Sequence, residues 1–273
     1  MKRFLSLAIA VIMIFGTLTV AFAATSPEAE LFVSIATKSG KLALAYEKIK
    51  VTDTDKDGQL TINDALYCAH DAKFDGKAAK GYGTSETQYG LSLTKLWGEE
   101  NNMGFGYYLN NAAAWSLADA VKTNDHVYAF TYTDTKDFSD TYSYFNKNTA
   151  EAEKGDEITL TLSIAGFDDN YNPVTKPVEK AEITIDGEGT GCYTDKKGNA
   201  TFTAPRGGTY TVSAKSPSGT IITPPVCILT TTGQDASDIF NDIIESIKAF
   251  FTDIFSSFLS KITEIFPNIA PKV

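Results

Sequence analysis

Cysteine and histidine are scarce in this chain, and that scarcity removes several chemistries. The three cysteines, Cys68, Cys192 and Cys227, are too few and too scattered for a disulfide scaffold or a zinc ribbon. The two histidines, His70 and His126, are far apart, and His70 stands two residues from Cys68, on a different face of any helix that carries both. No nucleophile elbow, phosphate loop, dinucleotide fingerprint or zinc motif occurs, and no pair of carboxylates is marked out for hydrolytic work. The expected function is therefore noncatalytic. Net positive charge is lacking as well: the formal charge is −10, which disfavours nucleic acid and anionic membrane surfaces as partners.

Against that background one acidic stretch stands out, Val51-Thr-Asp-Thr-Asp-Lys-Asp-Gly-Gln-Leu-Thr-Ile-Asn-Asp-Ala-Leu66. Asp53, Asp55 and Asp57 place carboxylates at alternate positions, and Gly58 comes next, where a chain wrapping a cation must turn sharply. This is the spacing of an EF-hand-type calcium loop over residues 53–64. Its oxygen donors would be Asp53, Asp55, Asp57, the carbonyl of Gln59, Thr61 directly or through water, and Asp64, which suits a hard Ca²⁺ ion. Asp64 replaces the usual closing Glu and is one methylene shorter, so the expected affinity is lower than with Glu, and for an extracellular protein a dissociation constant of roughly 10⁻⁴ to 10⁻³ M would still serve.

Residues 1–23 read as a secretory leader: Lys2 and Arg3 precede an apolar run from Phe4 to Phe22, and Ala21-Phe22-Ala23 is a small-residue cleavage pattern. The expected location is extracellular or on the cell surface, and loss of the leader makes the formal charge two units more negative. The mature chain, about 250 residues, suffices for two modest domains and a tail.

In residues 24–133 two extended runs, Glu30 to Thr37 and one ending at Val51, flank the turn Lys38-Ser-Gly-Lys41, and the second run fits a bulged strand. Ile62, Ala65, Leu66, Ala69 and Lys73 then share a helical face. A Gly- and Ser-rich connection, residues 76–90, leads to two aromatic strands, Phe105 to Asn110 and His126 to Tyr132, with a turn at Thr123-Asn-Asp125. Strands, helix and further strands predict an α+β, β-grasp-like domain. Trp97-Gly98, Gly106-Tyr-Tyr-Leu-Asn-Asn111, Trp115 and Asn124-Asp-His-Val-Tyr128 resemble the transcobalamin-like C-terminal domain of modular secreted bacterial proteins. The calcium loop resembles half of a dockerin, and the second loop that a cohesin-binding dockerin needs is missing. The resemblance implies a second functional reading, a small-molecule, corrinoid-like ligand stacked on Trp97, Tyr107, Tyr108 and Trp115. The simpler reading is that the same aromatics fill the small domain's own core.

Residues 134–156 turn to Thr, Asp, Ser, Asn and Lys and read as a linker. Residues 157–231 carry short alternating strands, Ile158 to Ile164, Ala181 to Asp186, Thr194 to Phe202 and Gly207 to Ala214, which predict an all-β Ig-like sandwich. The run from Ala181 through Thr194, Asp195 and Gly198 to Ala214 is similar to prealbumin-like and carboxypeptidase regulatory-like modules, a resemblance that is specific for fold and not for activity, since such modules serve as spacers, adhesion units or carbohydrate-associated modules. Cys192 and Cys227 lie in this domain, and the sequence leaves open whether they pair or are both small core residues. Asp168-Asp-Asn170 reads as an ordinary turn.

Residues 235–266 form an expected amphipathic helix of roughly 45 Å, with Phe240, Ile243, Ile244, Ile247, Phe250, Phe251, Ile254, Phe255, Phe258, Ile262, Ile265 and Phe266 on one broad face. Its recurring charges exclude a transmembrane span. Six acidic residues against Lys248 and Lys261 favour docking or self-association over a lipid surface. The partner of the whole protein is expected to be an extracellular protein or glycan.

Overall fold

A computed structural model describes residues 27–102, 104–167, 172–233 and 236–265. The leader, the turn at 168–170 and Phe266 lie outside the described residues. The chain is mostly β, arranged as two bodies and one long helix.

The first body is a five-stranded sheet crossed by a helix. Its strands are β1 (Glu28–Ala36), β2 (Leu42–Thr52), β5 (Phe105–Leu109), β6 (Ala112–Ala113) and β7 (His126–Thr131), in the order β2-β1-β7-β5-β6. All neighbours are antiparallel except the central pair β1 and β7, which run parallel with Phe32 opposite His126 and Ala36 opposite Phe130. The expected bulge in β2 is present: Val33 pairs with Glu47 and Ile35 with Leu44, so β2 carries one extra residue there. Tyr46 absorbs it at φ 51° and stacks on Phe32 with ring centroids 4.2 Å apart.

Helix α1 (Ile62–Lys73) lies across one face of this sheet. Because strand side chains alternate, Leu31, Val33 and Ile35 of β1 and Val127 and Ala129 of β7 all point toward it. There they join Ile62, Ala65, Leu66 and Ala69 in a single core. The expected loop at 76–90 is instead a short helix α2 (Lys77–Gly81) and most of a hairpin, β3 (Gly83–Thr87) with β4 (Gly90–Lys95). Its polar residues had hidden a two-stranded element whose outer side faces water.

The other face of the first sheet is also covered. Tyr128 and Phe130 meet Tyr142 and Ala36 in a second cluster, with Tyr108, Tyr132 and Tyr144 at its margin. Tyr142 and Tyr144 come from the stretch expected as a linker, and the structure corrects that expectation. Strand β8 (Ser143–Phe145) pairs with β10 (Glu157–Phe167), and β9 (Thr149–Glu153) runs parallel to β16 (Cys227–Thr232), so most of 134–156 belongs to the second body. Its polar composition reflects strands that show alternate residues to solvent.

The second body stacks two sheets. One runs β11 (Pro173–Pro177), β10, β14 (Asn199–Thr203), with β8 also on β10. The other runs β13 (Glu188–Tyr193), β12 (Glu182–Ile185), β15 (Gly208–Lys215), β16, β9. Leu160 and Leu162 of the first meet Ile183, Val212 and Leu229 of the second in the core. Cys192 on β13 and Cys227 on β16 are both free. Three strand spacings separate them, roughly 14 Å, and a disulfide needs Cα atoms within about 7 Å. Each is a small residue of the same core. Helix α3 (Ala236–Ile265) ends the described chain.

Candidate metal centre

The acidic loop joins the end of β2 to the start of α1, and its backbone is bent by its own carboxylates. Asp53 accepts hydrogen bonds from the N–H of Lys56 at Oδ1 (2.6 Å) and of Gly58 at Oδ2 (2.9 Å). Asp57 accepts from the N–H of Gln59 (2.8 Å), and Asp55 from that of Asp57 (3.3 Å). Lys56 and Gly58 adopt left-handed φ values of 65° and 88°, which turn the chain back on itself. As a result one carboxylate oxygen from each of Asp53, Asp55 and Asp57 lies within 4.8 Å of the others.

Three anionic oxygens so close repel each other. The Asp55 carboxyl is pushed above the usual carboxylate range, first by partial burial and then, against a lowering bond from the Asp57 N–H, by the charges of Asp64 and Asp57. A cluster of hard oxygens on a tightly turned backbone is the donor chemistry that a Ca²⁺ ion takes. The residues fit the ion.

The structure separates the expected ligands into two groups. Asp64 is fully buried and stands outside the cluster of three. Its Oδ1 accepts from the N–H and hydroxyl of Thr54 (2.8 and 2.6 Å), and its Oδ2 from the N–H and hydroxyl of Thr61 (3.0 and 2.7 Å). Thr61 is the N-cap of α1, and with Asp64 it forms a capping box. Asp64 thus ties the loop's beginning to the helix start, where the loop spacing had suggested metal ligation. The Thr61 hydroxyl is likewise engaged in the cap, and Gln59 is exposed on the rim. Thr54 was not foreseen, because nothing in a Thr at the loop's second position signals a tie across it.

The four aromatic residues do not converge. Trp97 packs on the α1 core with its ring 5.1 Å from His70 and 5.2 Å from Phe74. Tyr107 joins the same core, while Tyr108, next on β5, points to the opposite face and stacks on Tyr142 at 3.9 Å. Trp115 is 93% exposed. Strand alternation and the second body's tyrosines thus preclude one stacking platform. A cleft of about 940 Å³ between the bodies is lined by Lys38, Leu42, Glu47, Asp186, Ser213 and Lys215 among others, and none of the four aromatics reaches it.

Both histidines are structural in position. His70 Nδ1 lies 2.7 Å from the Leu66 carbonyl, and Nε2 accepts the Trp97 N–H at 2.9 Å, which fixes the neutral Nδ1–H tautomer. His126 lies 2.9 Å from the Ser34 hydroxyl, which itself accepts the Tyr46 N–H at the β2 bulge. Burial pushes each imidazole down to about 4.

No protein-family model and no curated protein matches this chain. Among solved structures, the crystal structure of Dscam1 isoform 4.4, N-terminal four Ig domains, is similar over 54% of this chain and 31% of its own, at 12% identity and a TM-score of 0.22. This chain thus spans less than a third of that one.

Proposed function

We propose that this is a secreted or cell-surface, noncatalytic, calcium-binding modular protein that serves in adhesion, scaffolding or ligand presentation toward an extracellular protein or glycan. The observation that carries the calcium reading is the gathering of Asp53, Asp55 and Asp57 oxygens within 4.8 Å on a loop closed by Gly58. Bound there, Ca²⁺ would neutralise the mutual repulsion of the three carboxylates and stabilise the fold. The chain's own contribution is to hold the carboxylates inward through the Lys56, Gly58, Asp57 and Gln59 N–H groups, and to anchor the loop to α1 through Asp64.

Two features support reading the bodies as modules. A hairpin, a crossing helix and a last strand parallel to the first are what a β-grasp-like domain consists of, and two stacked sheets of short strands suit an Ig-like spacer. Secretion rests on the leader pattern of residues 1–23 and on the acidic composition. No helix among the described residues is long and apolar enough to cross a membrane.

The test is calorimetric titration of the mature chain with calcium beside Asp53→Ala. One-site binding that vanishes in the variant is the expected result. Absence of heat at millimolar calcium in the parent protein would end the metal reading.

A further inference from the structure

Helix α3 leaves its apolar face uncovered. Ile239, Phe240, Ile243, Ile247, Phe250, Phe251, Ile254, Phe255 and Phe258 are between 46% and 63% exposed, although they lie on one side of the helix. A stripe of nine large apolar side chains open to water is an interaction surface. We infer that its occupant is α3 of a second copy, packed antiparallel.

Three features choose that occupant. The first is area: nine such side chains at roughly half exposure leave on the order of 900 Å² of apolar surface, close to the roughly 800 Å² per partner of a stable interface. An equal stripe on a second copy covers it without any further chain. The second is charge. Asp242, Glu245 and Asp253 outweigh Lys248 within the stripe's span, and Asp238 precedes it. A polar face so poor in basic residues is unlike that of helices held on anionic lipid.

The third is direction. In an antiparallel pair centred between Phe250 and Phe251, Ile247 is level with Ile254 of the other copy and Ile243 with Phe258, so apolar residues meet apolar residues. A parallel pair would align the two helix dipoles unfavourably.

The inference is independent of calcium, and its experiment is the solution mass of the mature chain by light scattering, with and without chelator. A dimer that persists in chelator is expected. Phe250→Asp with Ile254→Asp should give a monomer whose two β bodies stay folded, since neither side chain belongs to either core. A copy carrying Ile247→Cys should cross-link on oxidation to a copy carrying Ile254→Cys, since the antiparallel arrangement sets those positions level; cross-linking of each position only to itself would overturn that arrangement. A monomeric parent protein, a dimer indifferent to the double Asp substitution, or a monomer that co-floats with phosphatidylcholine vesicles would overturn the inference, the last in favour of a lipid surface.

Discussion

Asp64 and Thr54 are joined by two hydrogen bonds, from the Thr54 N–H at 2.8 Å and from its hydroxyl at 2.6 Å, both to the same carboxylate oxygen. With the two bonds from Thr61 at the other oxygen, a single buried side chain closes the acidic loop on the next helix. Asp64→Ala leaves two N–H groups and two hydroxyls without their acceptor and removes half of a capping box. The expected loss is about 2–4 kcal/mol, measured by urea unfolding in the presence of chelator so that metal plays no part. A loss under about 0.5 kcal/mol would show that the tie is dispensable.

Asp55 offers the complementary experiment, because it belongs to the repelling cluster and not to the tie. Asp55→Asn removes one of three close charges while keeping shape. Without calcium its melting temperature should match or exceed that of the parent, and the gain on adding calcium should shrink. A variant that melts lower in chelator, with its calcium response intact, would place Asp55 outside the metal set.

Legibility in the sequence depended on whether a signal was local. The loop spacing, α1, the aromatic strands and the β2 bulge were legible, since each arises from periodicity or a run of a few residues. The fate of Tyr108 was not, because its stacking partner Tyr142 lies 34 positions later in a stretch whose Thr, Asp and Asn content resembles a linker. The same stretch held β8 and β9, which are strands only because β10 and β16 are there to pair with them. Asp64 was ambiguous for a different reason. A cap and a ligand ask for the same carboxylate at the same position.

The buried histidines set an acid limit. His70 and His126 are each pushed from 6.5 down to about 4 by burial, so the unfolded chain takes up their protons first. Their contribution to stability is complete above pH 6.5 and drains as the pH falls toward 4, at up to about 1.4 kcal/mol per pH unit for each. For His70 the cause is visible, since a proton on Nε2 would face the Trp97 N–H, donor against donor. Urea midpoints between pH 4 and 7 should therefore fall on acidification. His70→Gln should flatten the slope by about half, and an unaltered slope in that variant would refute the assignment.

Contact between the bodies should be measurable one hydroxyl at a time. Tyr128 is 1% exposed, and its hydroxyl donates to the Pro224 carbonyl at 2.7 Å, from the first body to the second. Tyr128→Phe strands that carbonyl in a buried place and should cost about 1–2 kcal/mol. Tyr142→Phe loses a bond of 2.8 Å to the Asn111 side chain, which is only partly buried and has water as an alternative, so the loss should be smaller. Tyr142→Ala removes the ring that both Tyr108 and Tyr128 pack against and should cost about 3–5 kcal/mol. Equal losses for the two Phe variants would contradict the burial difference.

Two glycines separate backbone strain from collision. Gly58 in the acidic loop has φ +88°, and a Cβ built there meets nothing within 4 Å. Gly198, in the turn before β14, has φ +80°, yet its Cβ would lie 2.3 Å from the Leu162 carbonyl oxygen. That oxygen belongs to β10, at the centre of its sheet, and cannot retreat without disturbing the pairing on both sides. Gly58→Ala therefore meets only the left-handed penalty, about 1–2 kcal/mol. Gly198→Ala meets that penalty and a steric one, and should lose about 3 kcal/mol or more. Unfolding both variants in chelator makes the comparison independent of the metal; the prediction fails if the Gly58 variant is the weaker of the two.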